Sequence, residues 1–324
     1  MGRSVVRLLI ATGMVLAATL AHGETYPDKP IRIVVPYGAG GPADLLARGL
    51  SERLSEIWGQ QVLVENKPGA GQIIAAQEVA KAQPDGYTYL VASDAVFSLN
   101  RYLYSKLPYD PVRDFVPMSR LVNANLVLVA RPDLPAASVR EFVDYAKRNP
   151  GKLNYGSVGM GAGNHVAMSW FNNQNDIDVQ HVPYKKLMQG VQDLVAGRLD
   201  VMLVAVGAAA PQIRAGKLKG LAVSGTARNP LIPDVPTFAE AGFADFDASF
   251  WIGLAAPAGT PAERLEKFAA ESVKIVKSAD FRNRYLRKMG FEPVGDTPEE
   301  FASFLRADRE VAAKRVKVSG ARLD

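Results

Sequence analysis

The sequence contains no cysteine. Disulfides and thiolate metal sites are therefore excluded, and so is the lipid-bearing cysteine of a lipoprotein. Histidine is nearly as scarce, with three in all. His22 lies near the N-terminus, and neither His165 nor His181 has another histidine or a carboxylate at metal-ligand spacing. There is no G-x-S-x-G nucleophile elbow and no nucleophile–base pair, so an enzyme is not expected. Basic runs with interleaved aromatics are also missing, which argues against nucleic acid as a partner. No metal and no cofactor are expected. Long apolar runs are limited to one.

That run, "LLIATGMVLAATLA" at 8–21, follows Arg3 and Arg7 and ends at Ala21-His22-Gly23, with small residues at −3 and −1. Residues 1–23 read as a secretory signal peptide, because the run is short for a membrane span. The remainder reads as a soluble exported protein, and the lack of disulfides suits a bacterial periplasm. Removing the two arginines takes the formal charge from +5 to +3. That mild balance slightly favours small anions.

From residue 24 onward, short apolar runs alternate with helical patterns. Candidate strands lie at 31–36, 62–65, 88–92, 126–130, 153–158, 179–183, 201–206, 218–224 and 252–255. Between them, Leu46, Leu50, Leu54 and Ile57 recur at helical spacing, as do Val139, Phe142, Val143 and Ala146. This alternation predicts an α/β fold of parallel sheets covered on both faces. Two lobes are expected, 24–124 with 247–324 and 125–246. The run "LVNANLVLVAR" at 121–131 crosses from the first lobe to the second, and "FWIGLAAPAGTP" at 250–261 returns. Two crossings imply a hinge and a cleft, with the terminal helices packed back on the first lobe.

Several strands run into glycine-rich turns that open helices: "YGAGGPAD" after residue 36, "NKPGAGQ" after 65, "GMGAGNH" after 158 and "GAAAP" after 206. In a parallel α/β sheet such turns lie at the carboxyl edge, where ligands bind, and the first N–H groups of each helix have no internal partner. Two such edges facing one another would clamp an anion, largely with backbone.

Gly38, Gly40 and Ala43 also fit the dinucleotide fingerprint, with Glu65 at the spacing of a ribose contact. That reading is set aside. Pro42 removes an N–H that a pyrophosphate would use, a second glycine turn follows Glu65, and an export signal separates the protein from the cytosolic nicotinamide pool. Asp44 either favours its helix dipole or contacts ligand. Tyr37 and Tyr184 follow strand ends, where they either face the cleft or pack between helices. Ser93 and Asp94 sit at the same edge, with Asp94 a possible cap. His165 either binds ligand or packs under its glycine loop. His181 reads as a core histidine.

Collinear blocks across the chain carry a resemblance. They include "YPDKPIRIVVPYGAGGPAD" at 26–44, "VLVENKPGAG" at 62–71, "AKAQPDGYTYLVAS" at 80–93, "NPGKLNYGSVGMGAGNH" at 149–165, "HVPYK" at 181–185 and "GLAAPAGTPAE" at 253–263. The chain resembles the extracytoplasmic solute receptors of tripartite tricarboxylate transporters, often called the Bug family. The resemblance implies a two-lobed periplasmic-binding-protein fold (type II) that closes on a small carboxylate and delivers it to a membrane permease. It places the carboxylate at the turn of Tyr37, Gly38, Ala39, Gly40, Gly41, Ala43 and Asp44. The opposing turn would hold Ser157, Met160, Gly161, Ala162, Gly163, Asn164 and His165. Ser93, Asp94, Tyr184, Val206 and Gly207 complete the candidate set.

Departures from the family pattern concern the ligand. Ala43 stands where relatives often carry a hydroxyl, Ala162 or Gly163 where a serine is common, and Val204 and Ala205 where an acid or amide is common. Lys186 replaces a glycine. Fewer side-chain donors predict a mono- or dicarboxylate with an apolar or aromatic body rather than citrate. Lys185 or Lys186 could neutralise a second carboxylate, although solvated lysine is the commoner case. The alternative role is presentation of the loaded receptor to a sensor kinase.

Overall fold

The computed structural model describes residues 26–323 apart from 185, 247 and 249. The expected signal peptide and Lys185 lie outside the described residues. Strands β1 (Ile31–Val35), β2 (Val62–Asn66), β3 (Thr88–Ser93) and β4 (Phe115–Ala124) are followed by β5 (Leu126–Ala130), β6 (Leu153–Ser157), β7 (Val179–Pro183), β8 (Val201–Ala205) and β9 (Lys219–Val223). The chain then returns through β10 (Phe250–Pro257) and β11 (Phe291–Pro293). One sheet has the order β11-β4-β10-β3-β1-β2 and the other β7-β6-β8-β5-β9.

Both sheets are mixed. β1 runs parallel to β2 and β3, and β6 parallel to β7 and β8. β10 is antiparallel to β3 and β4, and β5 is antiparallel to β8 and β9. The expected parallel pairing thus describes only the half of each sheet made by strand–helix–strand units, which need a crossover. The strands that arrive from the other sheet run the opposite way.

The crossing expected as one strand is two. β4 pairs in the first sheet, β5 pairs in the second, and Asn125 sits at the break. Asn125 is fixed there: its amide donates to Glu292 (2.7 Å) and its carbonyl accepts the Val206 N–H (3.1 Å). Next to it, the Leu126 N–H donates to Ser224 Oγ at 2.9 Å. β11 was not expected, since three residues ending in proline carry almost no periodicity.

Helices α1 (Pro42–Trp58), α2 (Ile73–Ala80), α3 (Asn100–Leu103), α4 (Val139–Arg148), α5 (Gly163–Asn175), α6 (Leu187–Val195), α7 (Val206–Arg214), α8 (Ala262–Lys277) and α9 (Pro298–Ser319) cover the sheets. Leu46, Leu50 and Leu54 of α1 are buried, but Ile57 is 51% exposed. Trp58 takes the inward place instead, packed on the first core just before the helix ends at Gly59. In α4, Val139, Phe142, Val143 and Ala146 are buried as expected, and Ser138 caps the helix by accepting the Glu141 N–H.

α9 begins with a capping box between Thr297 and Glu300. Phe301 and Leu305 pack on the first sheet, whereas Ala312 and Val316 meet Val166 of α5. The helix therefore packs on both halves, not on the first alone. Its 22 residues give a length of about 33 Å, enough to pass beyond one sheet.

Candidate functional site

A cavity of about 640 Å³ lies between the facing ends of the two sheets. Four residues in its wall, Gly41, Gln72, Ala162 and Ala205, are the N-cap residues of α1, α2, α5 and α7. None of these helices has a capping side-chain hydrogen bond. Four helix amino termini, each with partial positive charge, thus converge on one space. Such an arrangement attracts an anion without any lysine.

On the first wall, Gln72 donates to both Tyr37 Oη (2.9 Å) and Ser93 Oγ (2.8 Å). Burial raises the Tyr37 phenol well above its ordinary pKa, so it stays protonated. The turn that delivers Gln72 is strained: Ala70 and Gln72 are non-glycine residues at φ 45° and 75°. Asn100 secures it by donating to the Gly71 carbonyl at 2.8 Å.

Asp44 lies under this wall, 1% exposed. It accepts hydrogen bonds from the Gly40 N–H (2.8 Å), Arg48 Nε (2.9 Å) and Asn66 Nδ2 (2.8 Å). Burial acts to raise its pKa, but Arg48, the Gly40 amide and Asn66 prevail and hold it below the usual carboxylate range. Asn66 also donates to the Tyr37 carbonyl at 3.0 Å, which ties the turn to β2.

On the second wall, β6 leads into a loop whose Gly159 and Gly161 have φ of 122° and 73°. Only glycine adopts these readily. Val158 and Met160 are left 44% and 52% exposed. His165 supports the loop from beneath, where Nδ1 accepts the Gly161 N–H at 3.2 Å. Its ring lies 4.1 Å from that of His181, which shares a 2.6 Å hydrogen bond with Ser157 Oγ. Burial, then the neighbouring His181, push His165 down to about 4, and burial lowers His181 as well.

The rest of the wall is largely apolar, with Leu126, Leu203, Val204, Phe250, Phe291 and Leu323. Among the described residues the charged side chains in the wall are Asp94 and Arg315. No group of three His, Asp or Glu side chains suited to a metal occurs among the described residues.

The sequence model of the "Tripartite tricarboxylate transporter family receptor" matches residues 46–318. The chain belongs to this receptor family. A UPF0065 protein of Bordetella pertussis is 36% identical over 94% of this chain and 93% of its own. BugT of the same organism is 31% identical over 99% and 98%. Among solved structures, a Rhodopseudomonas palustris protein with adipate is 32% identical, with a TM-score of 0.82 over 92% of this chain and all of that one. MatC of Rhodopseudomonas palustris, with bound malate, is also 32% identical, with a TM-score of 0.77 over 90% of this chain and all of that one. The chain is thus a periplasmic solute-binding receptor of this family, and no helix among its described residues is long and apolar enough to cross a membrane.

The receptor's cavity brings together Tyr37, Gly41, Ala43, Ser93, Asp94, Met160, Gly161, Ala162, Gly163 and Asn164 from the sequence-derived set. The others lie outside its wall. Gly38, Ala39 and Gly40 are exposed in the first turn. Asp44, Ser157 and His165 are buried supports, as their bonds show. Tyr184 donates to Asp193 at 3.1 Å and packs beside Gly156 and Gly190. Val206 donates to the crossing at Asn125. Glu65, the supposed ribose contact, pairs with Arg32 at 2.9 Å. Lys186 is exposed at the N-cap of α6.

Gly207 lies at a close backbone approach. A Cβ there would sit 2.7 Å from the Met289 carbonyl, so bare backbone of the second half touches backbone leading to β11. Gly207→Val is expected to wedge this contact apart and to weaken ligand affinity at least tenfold while the protein remains folded. Titration calorimetry beside circular dichroism checks it, and unchanged affinity would refute a link between this contact and binding.

Sequence reasoning missed Gln72, Asn100, Tyr104, Phe250, Phe291, Arg315 and Leu323, all in the wall. Gln72 had a signal, since its loop had already been placed at the sheet edge. Arg315 and Leu323 had none, because only the path of α9 brings them to the cleft.

Proposed function

We propose that this receptor captures a carboxylate with an apolar body in the cleft and delivers it, without chemical change, to the permease of a tripartite transporter. The convergence on one cavity of four helix amino termini, none with a side-chain cap, carries the reading. Backbone amides there hold the carboxylate, with Gln72 and Asn164 beside them. Phe250, Phe291, Leu126 and Leu203 surround the carbon chain. The adipate and malate named for two related structures are dicarboxylates, which supports the class. Of the two, adipate has the longer apolar body and suits these walls better. Binding shifts the protein toward the closed form because the ligand touches both halves, and the permease reads that form.

A thermal-shift screen of the purified protein tests this, using adipate, malate, benzoate, phthalate, citrate and NAD. A ligand at 100 times its Kd adds about 2.7 kcal/mol, a rise of several degrees. Adipate or an aromatic acid should give the largest rise. A shift from citrate alone would overturn the apolar-body reading, and no shift from any carboxylate would overturn the carboxylate class. Conversion of the bound acid on prolonged incubation would overturn capture without chemistry.

A further inference from the structure

Asp94 is the one acidic side chain in the cavity wall among the described residues. It follows β3 on the first half and looks across the cleft at the opening of α5. A Cβ built on Gly163, the first residue of that helix, would lie 3.8 Å from Asp94 Oδ2. A carboxyl from one half thus faces an uncapped amino terminus of the other. It is one of the four amino termini among which the proposed function puts the ligand's carboxylate. Two bare carboxylates cannot share it without a compensating charge or a proton between them.

We propose that Asp94 determines how the carboxylate is held: it binds as the neutral acid and donates its O–H to the ligand, so capture takes up one proton. This inference rests on the carboxylate reading above. The balance is simple. Ionised Asp94, one proton from solvent and the ligand anion give a neutral Asp94 hydrogen-bonded to that anion.

The surroundings agree. Burial and the nearby Asp308 of α9 push Asp94 up to about 7, while Ser93, Arg315 of α9 and the Ala95 N–H pull the other way. Tyr37, at the end of β1, is itself held in the protonated form by burial. From α5 come amide donors and no facing charge, since His165 is turned toward Gly161 and His181. An anion placed beside Asp94 raises its pKa further. The sign follows: affinity is full below the free-protein pKa and falls above it, by up to tenfold per pH unit.

The test is titration calorimetry with adipate, or with whichever carboxylate of the panel gives the largest thermal shift, at pH 6, 7 and 8. Two buffers of different ionisation enthalpy read the proton count. About one proton should be taken up per ligand at pH 8, with affinity about tenfold weaker than at pH 6. Asp94→Asn keeps a hydrogen-bond donor, so it should still bind, with a flat pH profile and no proton uptake. A flat wild-type profile with no uptake would overturn the proposal and leave the carboxylate reading standing. An unchanged slope in D94N would also overturn it, by assigning the proton elsewhere. Failure of every carboxylate at all three pH values would instead sink the reading on which it rests.

Discussion

Asp44→Ala is expected to destabilise the protein by about 3 kcal/mol and to weaken carboxylate binding at least tenfold. The side chain is 1% exposed and serves three donors: the Gly40 amide, Arg48 and Asn66. Removing it takes away one of the two acceptors of the Asn66 amide and the acceptor of the Gly40 N–H, which loosens the turn that holds Gly41 and Tyr37 at the cavity. Arg48 is 48% exposed and can turn to water, so its pair adds little to the loss. Asp44→Asn preserves shape and one acceptor, and should lose about half as much. Urea unfolding with an unchanged m-value measures this, and a change below about 0.5 kcal/mol would refute the role. Because the folded pKa of Asp44 is depressed, its contribution is present above the ordinary carboxylate range and disappears as pH falls below it.

A second acid loss should come earlier and involve the opposite wall. His165 is held down at about 4 against an ordinary 6.5. The unfolded chain therefore binds more protons than the folded one between those values. The stabilising contribution of neutral His165 is complete above 6.5 and declines as pH falls toward 4, by up to about 3 kcal/mol. The cause is local. Nδ1 accepts the Gly161 N–H, and a proton on that nitrogen ends the bond and places a charge beside His181. The loop that lines the cavity would then lose its support. Urea unfolding from pH 7 to 4.5 should show this decline in the wild type. His165→Gln, which keeps an acceptor but does not titrate, should show little of it. Equal slopes in both proteins would assign the effect to other groups.

The helices and nearly all strands were legible because their periodicity is local. The apolar face of α4 and the fully buried β3 follow from residue spacing alone. The two glycine turns at the cleft were legible for a related reason: a strand, then glycines, then a helix start specify where backbone amides point. Ile57 misled because it continues the helical spacing into the last turn of α1, where Trp58 takes the inward place instead. For Tyr184 the sequence left two places open, and its hydrogen bond to Asp193 is not visible in any local pattern.

The sequence by itself determined the α/β alternation, the two glycine-bearing edges, the shortage of polar side chains at Ala43, Ala162, Val204 and Ala205, and the family. Those properties depend on residues near one another in the chain. The tertiary structure alone decided which side chains meet. It turned Asp44 and His165 into supports, drew Gln72 into the wall, and carried Arg315 and Leu323 there along α9. It also set Asp94 opposite Gly163, about seventy residues away in the chain. Such encounters depend on sheet order and helix direction, which no local pattern encodes.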